Sequence, residues 1–225
     1  MRQQIAAFLV VGAGLLGGCA GEVDSASADD DGSQGRTDVE VGGRQEALWT
    51  DGCNDEQIGM INGAIFEAHF MLQAALESYS TGSDRANHFF GVGYNDMGVQ
   101  YRLLNMWSVM TDQDLTFVCE PQTGPTCTRD DGKFIYASVT PEDIDNQNPR
   151  ISVCDPFFNN VPEEEEVFLA SRPGLVLHET AHLAGARSDL WMGYEGVREL
   201  AQLAPGGSHD NADSFRYYIY NKTYP

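Results

Sequence analysis

The sequence predicts an α+β domain, and three observations predict it. Two long segments near the start of the domain carry apolar residues at helical spacing. Three short segments in the middle are rich in β-branched and aromatic residues and are separated by Pro- and Asp-rich turns. Helical periodicity then returns and holds to the C-terminus. The order is helices, a small sheet, then helices.

The first helix is expected over residues 54 to 80, where Ile58, Ile61, Ile65, Phe66, Phe70, Leu72, Leu76 and Tyr79 recur at intervals near three and four and Gly82 ends the pattern. A second runs from about Asn95 to Met110 through Val99, Leu103, Leu104 and Trp107. Strands are expected at Leu115–Cys119, Lys133–Ala137 and Arg150–Cys154. Pro162 followed by Glu163 to Glu166 reads as a helix start, with proline in the first turn and acids at the positive end of the dipole. Further helices are expected at Tyr194–Leu203 and Asp210–Tyr220, on either side of a Pro205-Gly206-Gly207 turn.

The N-terminus is read as an export signal over residues 1–18. Arg2 precedes an apolar run from Ile5 to Leu16, which is too short and Gly-rich for a comfortable membrane span. Leu16-Gly17-Gly18-Cys19 resembles the lipobox of bacterial lipoproteins, which implies lipidation at Cys19 and a place in the cell envelope. Cleavage as an ordinary secretory signal, leaving a secreted protein, is the alternative. Residues 19–46 hold few apolar side chains and include Asp29-Asp30-Asp31, so they are expected to form a flexible acidic linker. The domain is then 47–225.

Setting Cys19 aside leaves Cys53, Cys119, Cys127 and Cys154, an even number in an exported chain, where disulfides are expected. Four cysteines allow three pairings, and all three stay open. Lys+Arg number 13 against Asp+Glu 34, a formal net charge of −21, which excludes nucleic acid and anionic lipid as natural partners. The only membrane link expected is the lipid at Cys19, and the chain is expected to be a monomer.

The chemistry is concentrated at residues 178 to 182, His-Glu-Thr-Ala-His. Positions i and i+4 share a helix face, so His178 and His182 can offer both imidazoles to one Zn²⁺ with Glu179 beside the remaining coordination site. Gly174-Leu175-Val176-Leu177 before the motif and Leu183-Ala184-Gly185-Ala186 after it make this a half-buried helix ending near Gly185. A zinc held by two imidazoles needs a third protein ligand and leaves a position for water, from which Glu179 would take a proton. Downstream of His182, Asp189 comes first among the candidates for that ligand; the other reading of Asp189 is a helix N-cap.

Ser188-Asp189-Leu190-Trp191-Met192-Gly193-Tyr194 resembles the Thr-x-Asp-x-x-Tyr-Gly block of the deuterolysin family, the aspzincins, which includes the lysine-specific metalloendopeptidases. Asn211-Ala212-Asp213-Ser214-Phe215 is similar to the Asn-Ala-Asp block that follows there, and Cys154-Asp155-Pro156-Phe157-Phe158 to the approach to the zinc helix. The resemblance covers about residues 151 to 220. It implies a zincin-like fold, one zinc held by His178, His182 and Asp189, Glu179 as general base, and protein or peptide substrates. It also implies a receiver for a basic substrate side chain at Asp213, for which a structural carboxylate is the other reading.

Two residues depart from the family pattern. Met192 stands where the family places an oxyanion-stabilising tyrosine, and a thioether donates no hydrogen bond. Tyr194, two residues on, either reaches in as the substitute or packs elsewhere. Arg216 stands where a second acid is expected, and a cation beside Asp213 weakens lysine capture. The leading expectation is an exported zinc endopeptidase. The competing one is a catalytically weak surface lipoprotein of the same fold that acts as a binding or structural protein. His69 is expected in the core or at its boundary, and His88 and His209 are given no role.

Overall fold

Asn54 opens the first long helix with a reciprocal cap. In the computed structural model its side chain accepts the Gln57 N–H at 3.0 Å, and the Gln57 side chain accepts the Asn54 N–H at 2.9 Å. The structure describes residues 36–41, 44–111, 115–128, 135–145, 149–161, 171–189 and 192–220. The expected signal over 1–18, Cys19 and the Pro162–Glu166 helix start lie outside them. None of the described helices is long and apolar enough to cross a membrane.

Strands β1 (Arg36–Val41) and β2 (Arg44–Asp51) come first. Helices α1 (Asp55–Ser78), α2 (Asp84–Phe90) and α3 (Asp96–Met110) follow, then β3 (Thr116–Glu120), β4 (Ala137–Ser138), α4 (Pro141–Asp145) and β5 (Arg150–Cys154). The chain continues through α5 (Asp155–Asn159), α6 (Arg172–Leu183), α7 (Gly193–Leu203), a 3₁₀ segment (Pro205–Asp210) and α8 (Ala212–Tyr220). The sheet order is β1-β2-β3-β5-β4, with β2, β3 and β5 parallel and the two outer pairs antiparallel. This is the α+β architecture the sequence predicts.

Several boundaries differ from expectation. Strand β1 and the start of β2 fall within residues 19–46, the stretch expected to be a flexible linker. Thr37, Val39 and Val41 alternate with charged residues, a two-residue period that the acidic composition masks. Among the described residues, the strand expected at Lys133–Ala137 is seen as Ala137–Ser138, paired with Val153 and Ser152 of β5. The expected Pro-Gly-Gly turn is a 3₁₀ segment, so the last helix starts at Ala212. Helix α2 was not anticipated, because seven residues span too little of the helical period to read.

Helix α6 packs against α1, α3 and α8 and touches β4. Residues Pro173 to His182 are consequently buried on every side, where the sequence suggested only a half-buried helix. Leu177 and Ala181 join Ile61, Leu72, Leu103, Met106 and Phe215 in one core. Ser171 caps the helix by accepting the Gly174 N–H at 3.1 Å.

Two disulfides resolve the three possible pairings. Cys53–Cys119 joins the chain after β2 to β3, and Cys127–Cys154 joins the turn after β3 to the end of β5. Both fasten strands of the sheet.

Candidate metal centre

Helix α6 must end sharply for Asp189 to return to it, and Gly185 makes the reversal. Its φ is +101°, in the left-handed region, and a Cβ placed there would lie 2.2 Å from Arg102 Nη1. Arg102 occupies that space because it donates to Ala184 O at 2.7 Å and pairs with Asp210 at 3.1 Å. The Gly185 N–H donates to His182 O, and the Ala186 N–H to Ala181 O, each at 2.8 Å. A pair of backbone hydrogen bonds between Ser188 and the Asp210–Ala212 stretch then ties the Asp189 segment to the start of α8.

That turn brings three donor atoms together. Asp189 Oδ1 lies 3.1 Å from His178 Nε2 and 3.0 Å from His182 Nε2, and the two Nε2 atoms are 3.2 Å apart. Among the described residues this is the one group of three such side chains able to share an ion. The separations suit three ligands each about 2.0–2.2 Å from one zinc.

The other ring nitrogens decide what the Nε2 atoms offer. His182 Nδ1 lies 2.7 Å from Ala186 O, and a carbonyl only accepts, so Nδ1 carries the proton. His178 Nδ1 lies 2.7 Å from Asp213 Oδ1, a carboxylate that holds it in the same tautomer. Two imidazole lone pairs and a carboxylate oxygen therefore converge on one point. Without a cation they repel one another, so the donor set fits a divalent metal.

The electrostatics of these side chains carry the same demand for positive charge. Burial works against an imidazolium at His178, but Asp213 and the hydrogen bonds to Asp189 and Asp213 outweigh it and push its pKa up to about 10. Burial would raise Asp189, yet the two imidazoles hold it well below the usual carboxylate range. Asp213 is likewise opposed by burial and brought down to about 2 by His178, Arg216 and the Gly193 N–H. Glu179, 5% exposed, is raised by burial, with His178 and His182 opposing. A carboxylate raised in this way is better suited to accept and return a proton.

The four central residues line a cleft of about 660 Å³, whose wall includes β4 and Met192. Two residues sit apart from the roles expected of them. Tyr194 does not line the cleft; its hydroxyl is 2.9 Å from His88 Nε2, and its ring packs against Phe89 and Tyr217. Helix α2, absent from the sequence reading, is what draws it away. Asp213 does not present itself to a substrate. It is 2% exposed, with Oδ1 on His178 and Arg216 and Oδ2 accepting the Gly193 N–H at 2.6 Å, so both oxygens are engaged within the protein.

His69 stacks on Trp107 with ring centroids 4.2 Å apart, at the boundary position expected. Arg187, on the cleft wall, carries no role in the expected site; a cation two residues before a candidate ligand was the available signal.

Comparison with known proteins agrees with this geometry. Residues 75–220 match the sequence profile of the family described as lysine-specific metallo-endopeptidase, the aspzincins. The fold is similar to that of a solved zinc peptidase from Grifola frondosa, with a TM-score of 0.60 at 22% identity over 75% of this chain and 97% of that one. No curated protein matches the sequence. The matched span contains the zinc helix, the Asp189 turn and α8. The chain belongs to the lysine-specific metallo-endopeptidase family and is a zinc metalloendopeptidase.

Proposed function

We propose that the chain is an exported endopeptidase in which His178, His182 and Asp189 hold one zinc and Glu179 is the general base. The observation that carries this reading is the convergence of three donor atoms, both imidazole tautomers being held by Asp213 and Ala186, beside a buried carboxylate with a raised pKa. Zinc bound there would supply Lewis-acid polarisation of the scissile carbonyl and would acidify water.

The chain's own residues do the rest. Glu179 accepts a proton from the attacking water and passes it to the leaving amine. Asp213 and Ala186 keep the imidazoles from rotating. The edge strand β4 lies along the cleft, and no strand among the described residues pairs with its outer side, so its backbone groups can meet an extended peptide. Lysine preference is not part of this reading, because both Asp213 oxygens are engaged within the protein.

The two disulfides support export, since they require an oxidising compartment. With the apolar run before Leu16-Gly17-Gly18-Cys19 they favour a lipid anchor at Cys19 in a bacterial envelope.

The weakly catalytic alternative keeps one specific support. Met192, 59% exposed, lines the cleft, and the Tyr194 hydroxyl is turned to His88, so neither donates to an oxyanion. Loss of one such donor costs about 10²–10³ in rate. The test is hydrolysis of a denatured protein before chelation, after chelation and after zinc is restored. Zinc-restored cleavage supports the peptidase, and stoichiometric zinc without cleavage favours the binding protein.

A further inference from the structure

Two guanidinium groups line the cleft beside the metal-site residues, Arg216 from α8 and Arg187 from the turn after α6. Their sign is notable in a chain with Lys+Arg 13 against Asp+Glu 34. Among the described residues, the carboxylates lining the cleft are Glu179 and Asp189, which the chemistry uses.

Arg216 is fixed close to the reaction. Its Nη1 lies 3.2 Å from Asp213 Oδ1, and that oxygen is 2.7 Å from His178 Nδ1, so two hydrogen-bond lengths separate the guanidinium from a metal-ligand ring. The side chain is 8% exposed, and its Cζ sits 4.4 Å from the centroid of the Tyr217 ring. Asp213 Oδ1 also contacts His178, and its Oδ2 accepts the Gly193 N–H. Arg187 is exposed on the same wall.

We propose that Arg216 and Arg187 are specificity residues that recognise an acidic side chain flanking the scissile bond, so that the cleft selects Asp- or Glu-bearing peptides over lysine-bearing ones. The proposal rests on the peptidase reading above. A guanidinium held by packing meets a carboxylate in a planar, two-point geometry. The same charges exclude lysine by repulsion, which supplies discrimination as well as attraction. The chain's net charge of −21 opposes acidic substrates at long range, but screening over about 8 Å at physiological salt leaves contact with the local cations to decide.

Binding without turnover tests this. The full chain carrying Glu179→Gln is loaded with zinc and titrated with fluorescent peptides, uncharged except for one central Glu, Gln or Lys, and anisotropy is read. The Glu peptide should bind about tenfold more tightly than the Lys peptide. That ratio should fall towards one when Arg187→Gln or Arg216→Gln is added. Arg187 is exposed, so its variant decides the matter even if Arg216→Gln folds poorly.

A ratio of one or below in the parent, no measurable binding of the Glu peptide, or a ratio unchanged in the Arg187 variant would overturn the proposal. Acid-selective binding by a protein that never cleaves would count against the peptidase reading alone.

Discussion

His178 Nδ1 lies 2.7 Å from Asp213 Oδ1, with both groups buried. The contact joins two segments that are far apart in sequence and gives Asp213 its main task, which is to hold the ring so that Nε2 faces Asp189. Partners of this kind tune metal affinity by about 10- to 100-fold. Asp213→Asn should therefore weaken zinc binding by that factor while the far-ultraviolet circular dichroism stays unchanged. A competitive chelator titration measures it, and unaltered affinity would leave Asp213 with a packing role only.

Asp189 has a different position, as the anionic member of the donor set on the open side of the site. Asp189→Ala leaves two imidazoles, and tight zinc binding should be lost rather than weakened. One equivalent of zinc retained after dialysis would place the third ligand on another residue.

Much of this centre is legible in the sequence, and the limits have physical causes. The i, i+4 spacing of His178 and His182 is local helical geometry. The role of Asp189 depends on a turn, and Gly185 marks that turn. The Tyr194 hydroxyl is different, since it is directed by His88 from α2, a helix too short to show a period. Asp213 was ambiguous because a carboxylate facing a substrate and one facing a histidine have the same local sequence. Strand β1 was hidden because its alternation lies within an acidic stretch, and its pairing partner is set by the rest of the sheet.

Tyr194→Phe consequently separates packing from chemistry. Removing the hydroxyl should leave kcat within about twofold and lower stability by about 1 kcal/mol through loss of the His88 contact. Steady-state kinetics and denaturant unfolding give the two values. A 10²-fold fall in kcat at constant KM would return Tyr194 to the cleft.

In the metal-free chain, the pKa of His178 is pushed up to about 10, so the ring holds a proton at pH 7. Zinc must displace it. The pKa of His182 is raised as well, so calorimetry in buffers of different ionisation enthalpy should show release of at least one proton per zinc at pH 7. The same raised pKa makes the contribution of His178 to metal-free stability full below about pH 6.5, its unfolded value, and lost as the pH rises through about 10. Zinc binding with no proton release would contradict that electrostatic account.

The central claim is that Glu179 moves the proton in a reaction for which His178, His182 and Asp189 hold the metal. Its most direct test compares the zinc-loaded chain with its Glu179→Gln variant on a denatured protein, with new termini mapped by mass spectrometry and bound zinc measured in both. The account predicts cleavage by the parent and a loss of about 10²–10⁴-fold in the variant, with one zinc retained in each. Equal cleavage by both proteins, or a variant that loses its zinc along with its activity, would contradict it.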